Sequence, residues 1–209
     1  GGTILTGCEV VAIDRDGGWQ VTTDSHRHSA RILVNAAGAW ADGIAVMAGV
    51  SPLGLVPFRR SMARIPAPGG HDVARWPMVF GAGEAWYCKP DAGALIVSPA
   101  DEDAVEPHDA WADDMVLAEG LARYEACVTE PVTRLLTSWA GLRTFAPDRH
   151  LVLGRDFGDP VFVWCAGQGG YGFQTAPAAA RLIADLVAGR PPLLDADIVA
   201  ALDPARFST

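Results

Sequence analysis

The sequence predicts a mixed α/β (α+β) chain in which one domain is interrupted by a second, antiparallel one. Three observations carry this expectation. Strand-like segments and a short helix open the chain; a strand, a glycine turn and a long helix close it; and between them lie short alternating strands with one amphipathic helix. The expected boundaries are 1–50 for the first part of the interrupted domain, 51–138 for the antiparallel insert and 139–209 for the return.

CEVVAID (8–14) and WQVTT (19–23) flank Arg15-Asp16-Gly17-Gly18, a turn suited to a hairpin. A polar turn leads into a third strand, ARILVN (30–35). Ala36-Ala37-Gly38 then precedes a short helix with Trp40, Ile44 and Met47 on one face and Gly49 at its end. Residues 52–77 are rich in Pro, Gly and Arg and read as extended strand and loop. MVFG, AWYCKP and ALIVS, within 78–100, read as short antiparallel strands. Leu117, Leu121, Tyr124 and Val128 recur at helical spacing. TSWAGLRTF (137–145) and HLVLG (150–154) return to strand. VFVWCA (161–166) is the last strand, and its glycine turn GQGGYG feeds a helix that Gly189 can end in the left-handed conformation.

Composition narrows the function classes. Half of the 209 residues are hydrophobic and a fifth are charged, as in ordinary soluble globular proteins. The net charge of −9, with no basic run, argues against a nucleic-acid surface. No apolar run approaches the roughly 18 residues of a membrane span and no signal peptide is visible. The expectation is a protein without an integral membrane segment, placed in the cytoplasm or peripherally at the inner membrane. Cys8, Cys88, Cys127 and Cys165 form no C-x-x-C pair and read as buried free thiols in a reducing compartment. His26 and His28 share a polar turn without further ligands nearby, so no metal site is expected. The chain opens at Gly1-Gly2-Thr3-Ile4-Leu5, already entering an apolar segment, and reads as starting in the middle of a domain.

Gly167, Gly169 and Gly172 match G-x-G-x-x-G, with Gly170 a fourth glycine. A nicotinamide dinucleotide fingerprint would need a second strand ending in an acidic residue about 20 residues on. The sequence there is GRPPLLDADIV, and Pro191-Pro192 opposes a central strand. Two other readings stand beside it. The glycines can simply permit a tight strand-to-helix turn. Alternatively, the helix N-terminus can face the electron-rich end of a bound ring system, where free N–H groups stabilise negative charge. Reduced flavin places such charge at its N1/O2 edge.

VNAAGAWAD (34–42), RRSMARIPAPGG (59–70), WYCKPDAGALIVSPADEDAVEPHDAW (86–111), WAGLRTFAPDR (139–149) and AGQGGYGFQTAPA (166–178) occur in this order. Together they resemble the D-amino-acid oxidase superfamily of flavoenzymes, which includes glycine and sarcosine oxidases, and most of all its D-arginine dehydrogenase type. The resemblance implies an FAD-binding domain interrupted by a substrate domain. It also implies that the chain is a C-terminal fragment, with roughly 150–170 residues and the pyrophosphate-gripping glycine motif ahead of it.

By the same resemblance, Arg143 binds the substrate α-carboxylate, Tyr87 meets it through its hydroxyl, Arg60 is a second arginine near the substrate, and the Gly170 carbonyl meets the substrate amine. Read from residues alone, the favoured roles are a structural ion pair of Arg143 with an aspartate such as Asp148 and a half-buried core aromatic for Tyr87. Gly167, Gln168, Gly169, Gly170, Tyr171 and Gly172 would lie along the flavin ring. Ala37 and Gly38 would approach the ADP half of FAD, and Val10 or Val11 the adenine. Gly141 stands where sarcosine oxidases carry a flavin-linking cysteine, which implies non-covalent FAD. The implied reaction takes a hydride from Cα of a D-amino acid to flavin N5. The imine then hydrolyses to a 2-oxo acid and ammonia, and electrons leave to a quinone or to oxygen. Two alternatives stand: oxidation of a 2-hydroxy acid by the same superfamily chemistry, and a non-catalytic fragment that cannot hold FAD by itself.

Overall fold

The computed structural model describes residues 2–208. Its strands are, in chain order, β1 (Val10–Arg15), β2 (Trp19–Thr23), β3 (Arg27–Ala30), β4 (Leu33–Asn35), β5 (Val56–Pro66) and β6 (Val79–Phe80). They continue as β7 (Tyr87–Asp91), β8 (Ala94–Ser98), β9 (Asp103–Ala104), β10 (Thr137–Phe145), β11 (Val152–Arg155) and β12 (Phe162–Ala166). The α-helices are α1 (Ala41–Met47), α2 (Asp114–Glu125), α3 (Gly172–Val187) and α4 (Ala196–Leu202). The chain divides into two compact units, Gly1–Val56 with Thr144–Thr209, and Pro57–Arg143. The mixed α/β class with antiparallel sheets is that expected from the sequence.

The first unit holds two three-stranded sheets. One is the antiparallel β1-β2-β3. In the other, β12 pairs antiparallel with β11 and parallel with β4. The single strand expected over 30–35 is therefore two strands in different sheets. β3 ends where Ala30 pairs with Trp19, the chain bends at Arg31-Ile32, and the Leu33 N–H donates to the Val161 carbonyl at 3.0 Å. The second partner lies far along the chain, so the local pattern does not show the change of sheet.

Trp19, Phe162 and Trp164 fill the core of this unit with Ala41, Ala45 and Val152. Burying large aromatic and aliphatic side chains is the main favourable term, roughly 1.5–3 kcal/mol for a Leu or Phe. The buried indole N–H groups are satisfied: Trp19 Nε1 donates to the Val161 carbonyl at 3.0 Å, and Trp164 Nε1 to Asp156 at 3.1 Å. Helix α1 turns its small face inward. Ala41 and Ala45 are buried, whereas Trp40 and Met47, read from the sequence as sharing one face with Ile44, are exposed. Alanines let the helix approach the sheet closely, and the large residues are left for its outer side. Asp42 fixes the chain beyond the helix by accepting from the Leu53 and Leu55 N–H groups at 3.0 and 2.8 Å.

In the second unit the sheet order is β10-β5-β8-β7-β6, with β9 also paired to β5. The region 52–77, expected as strand and loop, contains the eleven-residue β5. Its register with β8, and that of β8 with β7, sorts residues to two faces. Ile65, Leu95, Val97 and Cys88 pack on one face with Trp86, Val73 and Tyr124. Met62, Ile96 and Tyr87 pack on the other. Helix α2 starts at Asp113, whose carboxylate accepts from the Met115 and Val116 N–H groups. The four cysteines are free, and Cys127 is exposed where burial was expected, because it sits in the polar turn beyond α2.

Helix α2 can reach β8 only because position 120 lacks a side chain: a Cβ there would stand 2.8 Å from Pro99 Cα. Gly120→Ala is expected to destabilise the protein by about 1–3 kcal/mol, since a backbone clash outweighs the gain in helix propensity. Gly43→Ala in α1, whose Cβ would meet nothing within 4 Å, is expected to be neutral or slightly stabilising. Paired thermal melts of the two variants check this.

Candidate functional site

The glycine turn follows β12 in the first unit. Gly167 and Gly169 adopt φ of +70° and +53°, the left-handed region that favours glycine. Position 169 is also closed sterically, because a Cβ there would meet Phe145 Cδ1 at 2.8 Å. The Gly169 N–H donates to the Thr144 carbonyl at 2.9 Å, and the Tyr171 hydroxyl donates to the Arg149 carbonyl at 3.3 Å. Segment 144–150 thus braces the turn. Arg206 holds that segment in place through bonds to both Asp148 carboxylate oxygens (2.7 and 3.2 Å) and to the His150 and Leu151 carbonyls. The Arg206 hydrogen bond is the main cause of an Asp148 pKa lowered to about 2.

The open side of the turn is different. A Cβ at Gly170 would meet nothing within 4 Å, and Gly170 is not in the left-handed region. Tyr171 caps α3 without a side-chain hydrogen bond, the first turn has no acidic residue, and Phe173 is fully exposed. Backbone N–H groups at this helix start are left without intrahelical partners. Gln168 turns back towards β12, with Nε2 3.7 Å from the Cys165 thiol, whose pKa is raised by burial.

A second feature of the same unit is a groove of about 540 Å³ lined by Glu9, Val10, Ala37, Trp40, Ile44 and Met47 among others. It brings Val10 and Ala37 together. Val11 is half exposed and does not line it. Gly38 follows Ala37 at a φ of +57°, and Asn35 fixes this corner by accepting from the Ala37 N–H and donating to the Ala41 carbonyl. Trp40, just ahead of α1, and Ile44 and Met47 of α1 form the groove wall, Ile44 also packing against the core.

The second unit carries Arg60, Tyr87 and Arg143. Arg143, in β10, is half-buried and makes no hydrogen bond or ion pair among the described residues. Its Nη1 lies 3.2 Å from where a Cβ of Gly141 would stand, so the guanidinium lies back along its own strand. The Asp148 considered as its structural partner is held by Arg206 instead. Tyr87 is buried beside Met62 and Ile96, and among the described residues its hydroxyl has only the Met62 sulfur as partner, at 3.4 Å. Arg60 is occupied: Nε donates to the Asp101 carbonyl and Nη2 to Glu102, both at 2.8 Å. Arg59 pairs with Asp103 at 2.6 Å, and its buried Nε, 3.7 Å from an Asp101 carboxylate oxygen, makes no hydrogen bond among the described residues. Among the described residues no group of three or more His, Cys, Asp or Glu side chains could hold a metal ion, and no helix is long and apolar enough to cross a membrane.

Sequence reasoning did not find Phe145, Arg206 or the groove-lining Trp40 and Met47 as parts of these features. An alternating strand gives no sign that its last aromatic lies under a glycine 24 positions on. Arg206 carries no local signal at all.

This fold recurs in solved structures. A glycine oxidase from Geobacillus kaustophilus matches with a TM-score of 0.79 and 23% identity, covering 95% of this chain and 52% of its own. An L-proline dehydrogenase from P. horikoshii matches at 0.78 and 24% identity, with 96% and 54% covered. An L-amino acid deaminase from Proteus vulgaris matches at 0.75 and 22% identity, with 96% and 49% covered. The chain spans about half the length of these structures. The family model described as FAD dependent oxidoreductase (DAO) matches residues 1–186, and the chain belongs to that family.

The Asp148–Arg206 clamp gives a pH prediction. A carboxyl held below its ordinary 3.8 stabilises the fold above that pH, and the contribution disappears as pH falls towards about 2. Because Asp148 is 34% exposed, solvent screening limits its share to about 1 kcal/mol. Asp148→Asn is expected to be less stable than the parent at pH 6 and to converge with it near pH 2, as read by urea titrations across that range.

Proposed function

We propose that this chain forms the substrate-binding and flavin-facing part of an FAD-dependent oxidoreductase that converts D-amino acids to 2-oxo acids and ammonia. The observation that carries this reading is Arg143. A guanidinium withdrawn from water without a counter-ion is costly, and a bound carboxylate would offset that cost with two parallel hydrogen bonds. Tyr87 is suited to be the second donor, because its hydroxyl gives up only a weak thioether acceptor when it turns to a carboxylate oxygen. Arg60 adds positive potential, part of which Glu102 already cancels.

The residues of the first unit fit FAD. Residues 167–172, four of them glycines, present backbone with open space at Gly170, which suits a planar ring. The groove with Val10 and Ala37, continued by Gly38, suits the adenosine half. When bound, FAD supplies the oxidant for the two electrons and the hydrogen released from the substrate Cα. The second unit's own task is to hold the substrate by its carboxylate, on Arg143 and Tyr87, while the amine binds unprotonated so that its lone pair can assist the oxidation. In the first unit the Gly170 carbonyl is an open acceptor. Water then hydrolyses the imino acid. The electrons pass on to a quinone or to oxygen.

In the FAD-loaded protein, D-amino acids are expected to bleach the flavin anaerobically. Arg143→Leu should raise KM for them roughly a hundredfold while leaving decarboxylated amines unaffected. Absence of bleaching by every D-amino acid, glycine and sarcosine would sink the amine reading; bleaching by lactate in their place would make the substrate a 2-hydroxy acid. Gly170→Ala should melt with the parent, since its Cβ has room, yet bind FAD more weakly as read by quenching of flavin fluorescence.

A further inference from the structure

The second unit has a cleft that the reaction above does not use. Its larger part, about 380 Å³, is lined by Pro68, His71, Trp76, Tyr124, Val128 and Glu130 among others. A smaller adjoining cavity shares Pro68, Tyr124 and Glu130 and continues between Pro66, Pro131 and Val132. The combined volume lies in the range of small-ligand pockets.

Two polar groups in it have nothing to bind. Glu130 is half-buried and makes no hydrogen bond or ion pair among the described residues. Tyr124 is 2% exposed, and its hydroxyl likewise has no hydrogen-bond partner among them. That hydroxyl is not one of the fully buried unsatisfied atoms, so the little exposure Tyr124 keeps leaves it open to solvent or a ligand. Burial, chiefly, with Cys88 and Glu125 adding to it, pushes its pKa up to about 12, so it stays a neutral donor and acceptor. No lysine or arginine is among the lining residues.

The remaining walls are apolar or aromatic. Trp76 and His71 stand with ring centroids 6.2 Å apart. Gly69, at a φ of +57°, keeps the floor low between His71 and Glu130: a Cβ there would be 3.2 Å from both side chains. An unpaired carboxylate, a spare phenolic oxygen and an indole face together match one ligand chemistry. We propose that this cleft binds a small organic cation, a primary ammonium carried on an apolar stem, with the ammonium on Glu130 and Tyr124 and the stem against Trp76 and the prolines. The acceptors meet the N–H donors, the indole and prolines cover the stem, and the chain's net charge of −9 draws cations towards it. This inference stands apart from the proposed amino-acid chemistry.

The test is a titration of the 209-residue protein with benzylammonium, and separately with benzyl alcohol, following the indole N–H resonances by NMR. Benzylammonium should shift one indole signal saturably, and that signal should be the one missing in Trp76→Phe. Glu130→Gln should weaken benzylammonium roughly tenfold and leave benzyl alcohol unchanged. Tyr124→Phe, which keeps the ring, should weaken it several-fold with the other indole signals in place as the control for folding. No saturable shift, a shift that survives Trp76→Phe, or equal affinity in Glu130→Gln would each overturn the proposal.

Discussion

At position 169 there is room for a hydrogen atom and nothing larger. The Phe145 ring lies against that backbone, and the Arg149 guanidinium covers the ring 3.8 Å from its centroid. The Gly169 N–H to Thr144 hydrogen bond joins the turn to the end of β10. The close approach therefore sets where α3 begins, and with it the direction in which the unpartnered N–H groups point. Segment 144–150 must be rigid for this to work. Arg206 makes it so by collecting two carbonyls and a carboxylate on one planar group, as only arginine can.

Charge is distributed with the same economy. Arginine provides all the basic residues but Lys89, and acids outnumber bases 25 to 16. Most arginines drawn in from solvent find carboxylates: Arg59 with Asp103, Arg60 with Glu102, Arg64 with Asp91 and Arg206 with Asp148. The nearly inaccessible Asp185 takes Arg181 and Arg190, which hold its carboxyl below the usual range. In that setting a half-buried Arg143 without a partner, and a half-buried Glu130 without one, are conspicuous.

The secondary structure was legible where it rests on local period. TSWAGLRTF is β10 residue for residue, WQVTT is β2, and the stripe through Leu117, Leu121 and Tyr124 is α2. What the sequence hid depends on distant partners. The switch of sheets at Arg31-Ile32 follows from β12, and the inward face of α1 follows from how closely the core lets it approach. The candidate site divides in the same way. The glycine motif and the arginine in a strand are visible as letters. That one glycine is closed by Phe145 while its neighbour opens on empty space, and that Arg60 is paired whereas Arg143 is not, are facts of packing that no spacing encodes.

The first unit is built from two separated stretches of chain, joined through the parallel pairing of β4 with β12. During synthesis, Val34 and Asn35 leave the ribosome long before Val163 and Trp164, the partners they will face. The second unit is contiguous and can fold in that interval, whereas the first must wait, with β4 offering an unsatisfied edge. That interval is also when a chaperone has most to protect.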